Sequence, residues 1–365
     1  MLITLSKKNF ADAVHIAARF ADRNSATLPV LHSILILAGT DGIKLRATNL
    51  ETGIDLGVPG EKKRDGVVAI PAHLLGQLAG SLIGEGSVTI EHAGDTALIT
   101  SGSAKSTIKT LAYEDFPNIP FPNTKESLSI SGALLKQLLT STASCASTST
   151  VRPELASIYL VVEGGSLTTV ATDSFRLVEK KVSLAKNTHP MKILIPAKNA
   201  VDIAQALPDE EVELSFDEHQ CAISWKSGKV VTRLTAANYP DYKQIIPKES
   251  AATATVLRKD LEMAMRRVTI FADSFQKIRL SLEPKQKAIS LFARNPDVGE
   301  SSELVPASIS GVPVELSFNH RYIAAALALT SAESLTLSAA GVGRPLTIRA
   351  AGDSSFLYLV SPMNQ

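Results

Sequence analysis

Residues 43–53 (IKLRATNLETG), 167–177 (LTTVATDSFRL) and 288–299 (AISLFARNPDVG) decide how this chain reads. Each is an alternating strand that ends in a polar turn, and each carries an alanine at the same place. Those alanines are Ala47, Ala171 and Ala293, 124 and 122 residues apart. Upstream of each lies a strand running into an amphipathic helix: LITLSKKNFADAVHIAARFA from Leu2, LSISGALLKQLLTSTASCA from Leu128 and ATVLRKDLEMAMRRVTIFA from Ala254. Downstream comes a short strand into a second helix: VVAIPAHLLGQLAGSL, KILIPAKNAVDIAQAL and VELSFNHRYIAAALAL. Ile70, Ile195 and Phe318 correspond there, at offsets of 125 and 123. A strand pair follows in each copy, and the first two copies close with EDFPNIP and ANYPDYKQIIP, with Pro117 and Pro240 123 residues apart.

A solenoid unit spans about 20–50 residues, so a repeat of this length has the size of a whole domain. The reading is α+β: three tandem similar domains over 1–122, 126–247 and 251–365, joined by the proline-rich segments FPNIPFPN and IIPKES. Alternation of apolar and polar residues, as in 168–170 and 335–337, predicts sheets with one solvated face. The serine- and threonine-rich run 140–150 reads as a flexible connection.

Helical spacing sorts the first helix of each repeat into two faces. Phe10, Val14, Ala17 and Ala21 bury, while Lys8, Asp12, His15 and Arg19 face out. Leu134, Leu135, Leu138 and Leu139 form the stripe of the second copy, leaving Lys136, Gln137 and Thr140 outward. In the third, Leu261, Ala264, Met265 and Val268 bury, and Lys259, Glu262 and Arg266 line the outside. The second helices present His73 and Gln77, then Lys198, Asp202 and Gln205. A polar face in every repeat points to a shared surface.

The chain has 365 residues, 45% of them apolar and 20% charged, and its Lys+Arg 37 and Asp+Glu 36 leave a net charge of +1. That balance excludes a disordered charged tail protein, and any basic patch must be local. Two cysteines, Cys145 and Cys221, make neither a disulfide framework nor a cysteine zinc site. Residues 1–10 contain no apolar core of a signal peptide, and no apolar run approaches the ~18–20 residues of a membrane helix, so a cytoplasmic protein is expected. Nucleotide-loop, nucleophile-elbow and zinc-protease motifs do not occur, the seven histidines are scattered, and no acid–base pair stands out. The expectation is a non-enzyme with neither metal nor cofactor.

The three-fold α+β pattern resembles the bacterial sliding clamp family, the β subunit of DNA polymerase III. The segments TLPVL (27–31), ATNLETG (47–53), EDFP (114–117), RPELASI (152–158), ATDSFRL (171–177) and YPDY (239–242) stand in order across the full chain. The resemblance implies a homodimeric ring, closed head to tail, with helices inside around duplex DNA and sheets outside. Such a clamp holds DNA by topology, without reading its sequence, and tethers polymerase and clamp-loader subunits through short linear motifs. It implies DNA-facing roles for Arg23, Lys136, Arg152, Lys198, Lys259 and Arg266. The implied partner-peptide cleft comprises Leu155, Thr172, Ser174, Phe175, Arg176, Leu177, Pro240, Ile245, Asn319, Tyr322, Val360, Ser361, Pro362 and Met363. Arg176 would cover the apolar floor with its stem and keep its head polar. Lys105, Ser106, Ile108, Ile270 and Phe271 are the expected dimer contacts.

The chain departs from the family where Ser174-Phe175 replaces a small residue followed by histidine, and where the tail reads SPMNQ. Those departures leave open a clamp paralogue with different partners. Two further alternatives are a hydrolase using Asp173 and His320, and a monomeric peptide-binding module.

Overall fold

The computed structural model describes residues 1–22, 28–82, 84–122, 124, 127–184 and 190–363. Its helices are α1 (Lys7–Ala17), α2 (Ala72–Ser81), α3 (Gly132–Ala143), α4 (Ala197–Ala206), α5 (Arg258–Val268) and α6 (His320–Ala328). Every repeat thus carries two helices, each entered directly from a strand. In α1 the Ser6 hydroxyl caps the first turn by accepting from the Asn9 amide at 3.1 Å. Phe10, Ala13, Val14 and Ala17 are buried, and Lys8, Asp12, His15 and Arg19 are exposed, as the spacing predicts. In α5, Leu261, Ala264, Met265 and Val268 are buried. In α3 the buried residues are Leu135, Leu138 and Leu139, with Leu134 at the margin of the stripe.

The run 140–150 is not wholly a connection: its first four residues continue α3 to Ala143. Serine and threonine are weak helix formers, but tertiary contacts decide here. The Thr142 and Thr169 hydroxyls share a buried hydrogen bond of 2.8 Å, and the Ser141 hydroxyl donates back to the Leu138 carbonyl at 3.1 Å.

The chain forms two compact units, Met1–Gln137 with Lys198–Ala236, and Leu138–Ala197 with Ala237–Gln365. The first holds a five-stranded sheet, in the order Gly60–Arg64, Leu2–Ser6, Ser87–Ala93, Thr96–Ser101, Ala104–Lys109. Its second sheet has eight strands: Ser127–Ser131, Glu211–Phe216, Gln220–Trp225, Gly228–Arg233, Thr52–Val58, Gly42–Thr48, Ser33–Gly39 and Gly66–Pro71. Gly228–Arg233 from the middle repeat pairs antiparallel with Thr52–Val58 from the first, so backbone hydrogen bonds cross the repeat boundary.

The other unit is built the same way. Its nine-stranded sheet runs Met191–Pro196, Ser157–Glu163, Ser166–Thr172, Arg176–Ser183, Phe356–Val360, Leu346–Ala350, Ser334–Ala339, Ala252–Leu257, Ser308–Gly311. Here Arg176–Ser183 of the middle repeat pairs with Phe356–Val360 of the third, with Arg176 opposite Val360. Gly299–Pro306, Ala288–Asn295, Lys277–Glu283 and Val314–Asn319 form a four-stranded sheet. Ile, Leu and Val side chains on the inner faces fill the cores; Ile158, Val178, Leu280, Leu337 and Ile348 are fully enclosed.

The glycine that opens α3 has a steric reason. A Cβ on Gly132, the first residue of α3, would lie 2.1 Å from the Pro208 carbonyl oxygen and 2.8 Å from that of Glu210. Both are backbone atoms, and the Gly132 amide donates to the Glu210 oxygen at 2.8 Å. Gly132→Ala is expected to cost about 1–3 kcal/mol through overpacking. Equilibrium urea unfolding measures it; an unchanged midpoint would show that the α3 entrance can shift aside.

Candidate functional site

The turns that end the first two of the decisive strands share one hydrogen-bonded frame, of which the third keeps a single bond. In the first repeat the Thr48 hydroxyl donates to the Thr52 carbonyl at 2.7 Å and accepts from the Leu50 amide at 3.1 Å. Asn49 Oδ1 accepts from the Glu51 amide at 3.0 Å and the Thr52 amide at 2.7 Å, and Leu50 sits in the left-handed region at φ 71°. The second repeat copies this bond for bond. The Thr172 hydroxyl donates to the Arg176 carbonyl at 2.6 Å and accepts from the Ser174 amide at 3.1 Å. Asp173 Oδ1 accepts from the Phe175 and Arg176 amides, both at 3.0 Å, and Ser174 has φ 78°. In the third repeat Asn295 Oδ1 accepts from the Asp297 amide at 3.0 Å. A left-handed non-glycine residue is strained, and it persists where neighbouring bonds fix it.

The frame is common; what it holds differs. The second turn presents Phe175 and Arg176 where the first presents Glu51 and Thr52. Arg176 Nε donates to Asp173 Oδ2 at 3.0 Å, and its Nη2 donates to the Ser144 carbonyl at 2.8 Å. Its guanidinium lies 5.0 Å from the centre of the Tyr322 ring, a cation–π contact. The head is therefore polar-bonded yet largely enclosed, with 18% of the side chain exposed. Phe175 is 59% exposed and stacks on the same Tyr322 ring, centres 6.3 Å apart and planes 16° from parallel. Tyr322 stands on α6, whose first turn is capped by Asn319 Oδ1 accepting from the Arg321 amide at 3.0 Å. The buried Tyr358 hydroxyl donates to the Tyr322 carbonyl at 2.8 Å.

The end of the chain is tied to this cluster. The Ser361 amide donates to the Phe175 carbonyl and the Met363 amide to the Ser317 carbonyl, each at 2.8 Å. Pro362 and Met363 are half-buried, and Ile245, in a short 3-10 helix over Tyr242–Ile245, is 53% exposed. Behind the surface, Tyr242 packs with Val170, Leu177 and Leu359.

The structure thus brings Phe175, Arg176, Tyr322, Ser361 and the turn residues Thr172 and Ser174 together. Leu155, Leu177 and Val360 are buried at 4%, 1% and 0% exposure, so they support the surface from beneath. Asn319 is spent on capping, while Pro240 is exposed. Tyr322 as the shared stacking platform and Asp173 as clamp of the turn are not evident from sequence.

Of the expected DNA-facing cations, Arg23 lies outside the described residues. Lys198 and Lys259 are exposed on α4 and α5, and Lys136 is half-buried on α3. Arg266 bonds Glu262 at 2.6 Å, and Arg152 bonds Glu154 at 3.0 Å. Lys105, Ser106 and Ile108 lie on Ala104–Lys109, the edge strand of the five-stranded sheet. Ile270, 69% exposed, and Phe271 lie in the 3-10 helix after α5.

Reactive chemistry finds little support here. Burial pushes the Cys145 thiol up, and that of Cys221 up to about 12, so both stay protonated. Asp173 is committed to its turn, and His320 to Gln276 Oε1 at 2.8 Å. Among the described residues no three His, Cys, Asp or Glu side chains cluster as metal ligands, and no helix is long and apolar enough to cross a membrane.

Three sequence models of the DNA polymerase III beta subunit match the chain: its N-terminal domain over residues 1–120, its central domain over 129–241 and its C-terminal domain over 243–364. Among curated relatives, the beta sliding clamp of Synechococcus elongatus is 29% identical over 344 residues, covering 92% of each chain. That of Streptococcus pneumoniae is 28% identical, covering 99% of this chain and 98% of its own. The solved structure of DNA polymerase III beta subunit from Thermotoga maritima superposes with a TM-score of 0.93 at 22% identity, covering 100% and 99% of the two chains. The sliding clamp structure from Bacillus subtilis gives 0.91 at 25% identity with the same coverage.

Proposed function

The chain belongs to the DNA polymerase III beta-subunit family and is a DNA sliding clamp, and from that premise we propose how its surfaces divide the work. Duplex DNA and the replicative polymerase are its partners. Two copies close head to tail into a ring, the edge strand with Lys105, Ser106 and Ile108 of one copy meeting Ile270 and Phe271 of the other. The three domains follow the repeats, 1–122, 126–247 and 251–365, and their six helices line the hole. Lys136, Arg152, Lys198, Lys259 and Arg266 face the phosphates. The protein carries out no turnover, uses no metal or cofactor and acts in the cytoplasm. Its effect is to raise the local concentration of a tethered polymerase at the template.

The turn at 172–176 with Tyr322 and the tail 361–363 is the docking surface for the short motifs of polymerase and clamp-loader subunits. The observation that carries this assignment is the contrast between two turns of one frame. The first holds Glu51 and Thr52; the second holds an exposed Phe175 and an Arg176 clamped over Tyr322. Aromatic and arginine side chains dominate the energetics of protein recognition. Phe175 also favours a partner preference of this clamp's own, since its ring already occupies one side of Tyr322.

Two measurements test the reading. Sedimentation is expected to give a dimer, twice the 38.8 kDa chain, that images as a closed ring. A fluorescent peptide with a glutamine and apolar anchors is expected to bind wild type, and Arg176→Ala to weaken it about tenfold, the loss of one charge-assisted contact. Unchanged affinity in a variant of unchanged mass would remove the docking assignment.

A further inference from the structure

A cavity of about 480 Å³ opens on the outer face of the nine-stranded sheet, beside the segment that carries Pro240. Strand register explains its floor. Val161 pairs with Lys192 on one side and Thr168 on the other, and Thr168 pairs with Lys181. The row Lys192, Val161, Thr168, Lys181 therefore crosses four neighbouring strands, spanning about 14 Å at the usual strand spacing. Lys243 borders the same cavity from the covering segment. Among the described residues no ion pair takes up Lys181, Lys192 or Lys243. Glu163 and Asp241 also border the cavity, leaving one positive charge in excess.

Two stacked tyrosines form part of the wall. Tyr239 stacks on Tyr159 with ring centres 4.8 Å apart, and both rings border the cavity. Three ammonium groups set against two carboxylates around a roomy cavity favour an anionic ligand.

Position selects which anion. Pro240, one of the cleft residues that the family resemblance implies, borders the cavity, and Tyr242, also on the cavity wall, packs in one cluster with Leu177, the neighbour of Arg176. A peptide seated at Phe175 and Tyr322 thus has this cavity next along the same wall. We propose that the cavity receives the acidic residues flanking a partner's docking motif, with Lys181, Lys192 and Lys243 as their donors. This rests on the docking role of the Phe175–Tyr322 surface.

The test compares two synthetic peptides with one motif, one flanked by aspartates and one by asparagines, titrated against the full dimer by fluorescence anisotropy. The aspartate peptide is expected to bind about fivefold to tenfold tighter at low salt, with the advantage shrinking as salt screens it. Lys181→Ala with Lys192→Ala is expected to abolish the advantage while the asparagine peptide binds as before. Equal binding of both peptides to wild type overturns the proposal and leaves the docking surface standing. Failure of both peptides to bind overturns the docking surface and this cavity's role with it.

Discussion

Loaded onto a nicked circular duplex by a clamp-loader ATPase, the protein stays with its DNA through a high-salt wash; cut the circle once, and it is lost at the same salt. The expected contrast is large because the charge available for direct binding is small. Net charge is +1, and two of the cations assigned to DNA are already engaged, Arg266 with Glu262 and Arg152 with Glu154. A protein neutralising 6–10 phosphates loses about 10³–10⁵ in affinity between ~50 and ~200 mM salt, so an electrostatic binder leaves both templates alike. A ring leaves only the one with ends. Gel filtration of labelled protein with circular or linear DNA at about 0.5 M salt reads the difference, expected to exceed about a hundredfold in retained protein. Equal loss from both templates would mean that phosphates, and not closure, hold the protein.

Removing the clamp of the second turn is expected to have the next largest effect. Asp173→Ala deprives the Phe175 and Arg176 amides of their acceptor and releases the Arg176 head. Hydrogen bonds to a charged group contribute about 1.5–3 kcal/mol each, and the strained Ser174 is then held by the Thr172 hydroxyl alone. Motif-peptide affinity is expected to fall about a hundredfold, or ~2.7 kcal/mol. The molecule supplies its own control. Asn49 already builds the identical turn in the first repeat. Asp173→Asn is therefore expected to keep the turn, lose only the Arg176 ion pair and weaken the peptide about twofold to fivefold, within the range of a single ion pair near the surface. If asparagine proves as harmful as alanine, the ion pair and not the turn orders the site. If neither matters, the turn is no part of it.

The repeats are legible in sequence because three copies keep their landmarks within three residues of register. The helix faces are legible because burial imposes its own period, and Lys8, Asp12, His15 and Arg19 emerge where that period puts them. The docking residues follow from the resemblance carried by ATDSFRL and YPDY. What joins them does not. Arg176 reaches a backbone carbonyl 32 positions away, at Ser144, and no pattern of side chains announces a carbonyl. Tyr322 meets Phe175 from another repeat altogether. The run 140–150 misleads because low complexity measures composition, while the Thr142–Thr169 bond that keeps α3 going is a contact at a distance. The pairing of strands between repeats is equally silent, since an edge strand and an inner one share the same alternation.

That pairing bears on how such a chain can be taken apart. Gly228–Arg233 against Thr52–Val58, and Arg176–Ser183 against Phe356–Val360, are ladders shared by neighbouring repeats. Excising the middle repeat would strip its partner from each, exposing two unpaired edges on the fragment and one on either remainder. Bare edges of that length recruit other chains. The modules that sequence repetition marks out are thus not modules for protein engineering. A chimera that swaps one repeat between clamps must carry over both seam strands with their matching neighbours, and a proteolytic nick between repeats should leave the pieces held together until denaturant is added.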